Sequence, residues 1–171
     1  MSLSLISKSE YNVFYQPYID AMTDIDLLEG LKLSGEAVNS FLLSIPAEKH
    51  GYAYAEGKWT VKDVLLHIID TERIFAYRAL RIARGDKAPL AGFEQDDYVL
   101  KAGANTRSFE NLLKEYNAVR QTTMLLYESF DAETLLNIGK ASGFPVSVRA
   151  IGYIICGHEK HHIKIIKERY L

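Results

Sequence analysis

His67, His158 and His162 are the residues of this chain best suited to do chemistry. Neutral imidazole is the commonest protein ligand for zinc and related divalent metals. Three such ligands leave a position open for water or substrate. The set therefore points to a catalytic metal site rather than a closed structural one. His158 and His162 are one helical turn apart, whereas His67 must be brought to them by the fold.

Helical geometry says where these rings point. At about 100° per residue, with His158 at zero, His162 falls near 40° and Ile151, Ile154, Ile155, Ile165 and Ile166 between about -40° and 80°. Both histidines thus occupy the centre of an apolar stripe, the face a helix turns to its core. A buried imidazole needs a partner, because burying a polar group alone is costly. His161 sits about 60° to the other side and reads as flanking or exposed; Cys156, about 160° around, faces away as a packing residue. The same count on the second of the chain's expected helices places His67 at the edge of a Val61, Val64, Ile68, Phe75 stripe, beside Asp63, Asp70, Thr71, Ile74 and Arg78. Asp63 or Asp70 could accept the second imidazole N–H and fix the ring. Arg78 could bind an anionic group on a substrate. His50, in a loop between Pro46 and Gly51, has no assigned role.

His158-Glu159-Lys160-His161-His162 also matches H-E-x-x-H, in which Glu is the general base of a zinc protease. Only nine residues follow His162, and Ile165 and Glu168 stand where the extended motif needs Gly and His. The protease reading is set aside.

Four helices would have to position these groups. The first is expected from Thr23 to Pro46. The second starts at a capping box, Thr60 with Asp63, with Trp59 as its staple, and runs to Arg84. The third extends from Ser108 to Phe130, and the fourth from a Ser147 cap to the chain end. No strand pair is expected, and Lys87 to Thr106 reads as a long connection whose Glu94, Asp96 and Asp97 form turns and caps. One such crossover among four helices suggests an all-α four-helix bundle, whose interior can house a metal.

Bulk properties agree. The 171 residues fit one domain, 1–171, with 48% apolar and 25% charged content. A net charge of -2 gives no nucleic-acid footprint. The single cysteine precludes an internal disulfide, no signal peptide or membrane-length apolar run is found, and the chain reads as cytoplasmic.

Trp59-Thr60, His67, the loop Gly92-Phe93-Glu94-Gln95-Asp96-Asp97-Tyr98 and the terminal Gly157-His158-Glu159-Lys160-His161-His162 together resemble the DinB-type proteins. The narrower likeness is to the branch containing bacillithiol transferases and metal-dependent hydrolases, and it spans roughly residue 20 to the end. The resemblance implies an up-up-down-down bundle, frequent homodimers, and a divalent metal, often nickel or zinc, on three histidines. By position these are His67, His158 and His162, in agreement with the face count. It further implies use of a low-molecular-weight thiol by S-transferases or isomerases.

Three neutral ligands leave the metal its full charge, which can activate water or stabilise a thiolate. The expected function is thiol-dependent S-transfer to a small electrophile. The alternatives are small-molecule hydrolysis, with Glu159 or another carboxylate as base, and a non-catalytic binding bundle.

Overall fold

Each long helix starts where the chain supplies an oxygen for its unpaired N–H groups. In the structure, a computed structural model describing residues 6–22 and 24–171, Asp26 caps α2 (Leu27–Leu43) by accepting from the Leu28 amide at 3.0 Å. The start expected at Thr23 lies outside the described residues. Thr60 and Asp63 form the anticipated reciprocal box at the head of α3 (Val61–Ala83). Ser108 caps α5 (Phe109–Glu128) and Ser147 caps α6 (Val148–Arg169).

Two further helices lie where none was expected. Gln16–Asp20 forms α1, entered through a Pro at its first turn, and Gln95–Ala102 forms α4 inside the long crossover. A hairpin also stands before α6, where no strand pair was expected. Its strands β1 (Ile138–Ala141) and β2 (Phe144–Ser147) pair antiparallel, with Ala141 opposite Phe144. The two turn residues, Ser142 and Gly143, both take positive φ, 51° and 87°, as a two-residue turn matched to strand twist requires. The strands are short and partly exposed, so they lack the apolar alternation by which a sequence announces a sheet.

The long helices form the expected four-helix bundle. α3 packs on α5 and α6, and α2 packs on the same two, so α2 and α3 take opposite corners. Tyr170 near the end of α6 bonds to Trp59 just before α3, which makes those two antiparallel. Tyr153 early in α6 bonds to Ile25 just before α2, and Lys167 late in α6 covers Phe41 late in α2, so these two are parallel. Lys62 at the start of α3 reaches the Arg107 carbonyl just before α5, and that pair is parallel as well. The order along the chain is up-down-down-up, in place of up-up-down-down. The crossover from Gly85 to Arg107 is what lets α3 and α5 run the same way.

The apolar interior divides into two clusters, one at each end of the bundle. Between them lies a buried polar layer: Ser34 of α2, Thr71 and Glu72 of α3, Arg120 and Thr123 of α5, His158 and Glu159 of α6. Arg120 uses all five guanidinium N–H directions there. It donates to Glu72 twice at 2.9 Å, to Glu159 at 3.1 and 2.7 Å, and to the Leu31 carbonyl at 3.0 Å. The Tyr116 hydroxyl adds a 2.8 Å bond to Glu159. One side chain therefore fastens all four long helices at the level of the histidines, and sets the rotation of α6 about its axis. Among the described residues, no helix is long and apolar enough to cross a membrane.

Candidate metal centre

The three histidines meet. His67 Nε2 and His162 Nε2 each lie 3.0 Å from His158 Nε2, and all three fall within 4.8 Å of one another. His67 and His158 are buried and His162 partly so. His158 and His162 come together because a four-residue step on α6 stacks them on one face. His67 arrives because α3 packs antiparallel on α6.

Burial keeps the rings neutral. It pushes His67 from 6.5 down to about 4 and His162 down to about 3. For His158 burial and then the neighbouring His162 and His67 push the value well below 6.5. At neutral pH the site thus presents uncharged imidazoles, the form that ligates a metal. The two 3.0 Å spacings to His158 fit as well. Metal–nitrogen bonds of about 2.0–2.1 Å place neighbouring ligand atoms roughly 3.0–3.4 Å apart. A neutral His158 Nε2 can donate to at most one of its two neighbours, so protein hydrogen bonds alone leave the cluster incompletely satisfied. Donor type, spacing and charge state all suit a divalent cation.

The surroundings differ from expectation in several places. Neither Asp63 nor Asp70 supports His67: Asp63 is held by Thr60 and Asn105, and Asp70 pairs with Arg73 at 3.5 Å. The group facing His67 Nδ1 is the Thr71 hydroxyl, 3.5 Å away and one turn along α3. Glu159 is fully buried and turned to Arg120 and Tyr116 of α5 instead of to the histidine cluster. It is no general base. Its two carboxylate oxygens are spent on the guanidinium of Arg120 and the hydroxyl of Tyr116.

Trp59 packs on His67 at 4.9 Å between ring centroids and lies nearly parallel to His162 at 6.5 Å. It walls the cluster on one side rather than serving only as a staple. Tyr18 of α1 closes another side, 5.6 Å from His158 and 5.5 Å from His161. This contact depends on Gly157. A Cβ there would stand 2.1 Å from the Tyr18 carbonyl oxygen, so only glycine lets α1 cross α6 so closely. The N-terminal segment gave no periodic signal, and its role was not legible; Gly157 beside the histidines was the available clue.

A cavity of about 590 Å³ opens onto the cluster. His67, His158, His161 and His162 line it together with Tyr15, Tyr18, Thr71, Phe75 and Arg78, and the exposed Glu94 and Asp96 stand at its rim. His161, read as flanking, is exposed and borders this cavity; Cys156 is buried in the core, and burial raises its thiol to about 12. His50 stacks on Phe109 at 3.7 Å, a packing role remote from the site.

The comparisons with known proteins agree with this architecture. The DinB superfamily's sequence profile matches residues 31–166. A protein of Oceanobacillus iheyensis called "Putative metal-dependent hydrolase OB0413" is 26% identical over 136 residues, covering 78% of this chain and 75% of that protein. Among solved structures, YfiT from Bacillus subtilis, described as "a probable metal-dependent hydrolase with an unusual four-helix bundle topology", superposes with a TM-score of 0.75. The identity is 13%, over 93% of this chain and 91% of that one. A mycothiol-dependent maleylpyruvate isomerase superposes with a TM-score of 0.67 at 14% identity, over 87% of this chain and 63% of that one. At such identities these two likenesses speak for the fold alone.

Proposed function

The chain belongs to the DinB superfamily, and from that premise we propose that His67, His158 and His162 hold a catalytic divalent metal, nickel or zinc, and that the protein transfers a low-molecular-weight thiol to small electrophiles. The observation that carries the reading is the convergence of three neutral Nε2 atoms on the wall of a cavity large enough for a small molecule. When bound, the metal supplies a concentrated positive charge that favours the thiolate over the thiol.

The chain's own residues then have defined tasks. Thr71 orients the His67 ring, Arg120 holds α6 in register through Glu159, and Trp59 and Tyr18 exclude water from two flanks of the cluster. In the transfer itself a carbon–sulfur bond forms as the sulfur lone pair attacks the electrophilic carbon. The bond to the leaving group breaks, its electron pair departs with that group, and the thiol proton passes to solvent. No protein base is needed for a thiol that is already ionised. This matters because Glu159, the carboxylate adjacent to a ligand, is committed to Arg120 and Tyr116.

Hydrolysis is the second reading. The names of OB0413 and YfiT favour it, and Glu94 or Asp96 at the cavity rim would have to serve as base. Two measurements decide. Elemental mass spectrometry on untagged protein should find about one equivalent of nickel or zinc, lost in both His67→Ala and His162→Ala. Metal-loaded protein should consume a model electrophile such as monobromobimane only with added bacillithiol, mycothiol or glutathione. Conversion of an ester substrate without any thiol would favour hydrolysis, and a metal-free wild type after reconstitution would overturn both readings.

A further inference from the structure

Three arginines of the described chain are buried, and two of them are neutralised in the ordinary way. Arg120 is held by Glu72 and Glu159, and Arg149 is paired with Glu10 at 2.5 Å. Arg78, 3% exposed, has no such partner among the described residues. Its Nη2 donates to the Ala91 carbonyl at 2.8 Å and to Ser142 Oγ at 3.1 Å. The rings of Phe75 and Phe93 lie 5.5 and 5.8 Å from the guanidinium carbon, and the Tyr15 phenol is a further polar neighbour. Glu94 and Asp96 line the same cavity, but both are exposed at its rim and neither pairs with it. A buried cation is costly without a countercharge, and a charge kept in that condition is poised to receive one.

Arg78 also marks the boundary between two chambers. On one side is the cavity of the histidines. On the other is a second, largely apolar cavity of about 240 Å³ beneath the hairpin, walled by Phe75, Phe144, Val146, Ile151 and Ile154. The two share Phe14, Tyr15, Phe75, Arg78 and Ser142. A cavity of about 150 Å³ holds benzene, so this chamber has room for a phenyl group with one or two methylenes.

We propose that the site takes an amphiphilic carboxylate, with its anionic group on Arg78 and its apolar group in the chamber under the hairpin. This rests on reading the larger cavity as the substrate site, and assigns the substrate rather than the thiol: low-molecular-weight thiols are polar along their length and would leave the apolar chamber empty. The carboxylate suits the flat N–H fork of a guanidinium, and its burial completes the charge that Arg78 lacks.

The test uses full-length protein, both chelated free of metal and metal-loaded, titrated calorimetrically with 3-phenylpropionate, its amide and propionate. Chelated wild type should bind 3-phenylpropionate at least tenfold more tightly than either the amide, which lacks the charge, or propionate, which lacks the ring. Arg78→Gln should lose at least tenfold for the acid and nothing for the amide, with Arg78→Lys intermediate. The wild-type comparison of three probes stands even if the variants are unstable. Equal binding of acid and amide, equal binding of acid and propionate, or no binding by chelated wild type each overturns the proposal. So does binding of the acid only to metal-loaded protein, because the metal would then hold the carboxylate. Acid binding by a chain that takes up no metal would leave this assignment intact while refuting the metal reading.

Discussion

Replacing Arg120 by methionine tests whether the polar layer is what holds the four helices in register. The side chain is 6% exposed, and the carboxylates it bridges, Glu72 and Glu159, are 2% and 1% exposed. Methionine fills much of the same volume but supplies none of the five N–H groups that now end on Glu72, Glu159 and Leu31. Two carboxylates would be left facing each other away from water. Removing one partner of a buried ion pair costs roughly 3–5 kcal/mol. For a chain of this size each kcal/mol moves the midpoint by about 2–4 °C, so a loss of roughly 10 °C is expected. Urea denaturation at pH 7, with Arg120→Met/Glu72→Gln/Glu159→Gln as the control, measures it. The triple variant should recover at least half of the loss. A single variant within about 1 kcal/mol of wild type would refute the reasoning.

Two other expectations concern the site directly. Gly157→Ala places a Cβ on the Tyr18 carbonyl, a backbone contact that no rotamer change relieves. The N-terminal segment should undock, with faster chymotryptic cleavage near Phe14 and Tyr18 and a stability loss of roughly 1–3 kcal/mol; unchanged cleavage would show that α1 is not held by this crossing. Metal-free protein should lose stability on acidification from pH 6.5 towards 4. His67 and His162 titrate below 6.5 in the folded state, so in that window the unfolded chain takes up protons that the folded chain does not. The slope should reach about 1.4 kcal/mol per pH unit for each such histidine, and His67→Phe should flatten it in thermal melts.

Sequence alone determined the parts that repeat along a helix. A spacing of four puts His158 and His162 on one face, the surrounding isoleucines say that this face is buried, and Thr60, Ser108 and Ser147 mark starts because each offers an oxygen to orphaned amides. The short motifs Trp59-Thr60, His67 and the terminal histidine run carried the family and, through it, the three-histidine set. Tertiary structure decided everything that depends on distance between elements. Helix direction could not be read, because an apolar stripe packs equally well on a neighbour of either polarity and only the crossover chooses. Asp63 stands on the right side of α3 but is drawn off by Asn105, 42 residues away, while Asp70 pairs with Arg73, which Glu115 of α5 also holds. Glu159 beside His158 looked like a base until Arg120 and Tyr116 claimed it from α5. Tyr18 and Trp59 reach the histidines from segments with no helical periodicity to betray them. Local pattern fixes which face of a helix is apolar; which buried polar groups find one another is settled only when the helices pack, because each such group must be satisfied by whatever the neighbouring chain brings.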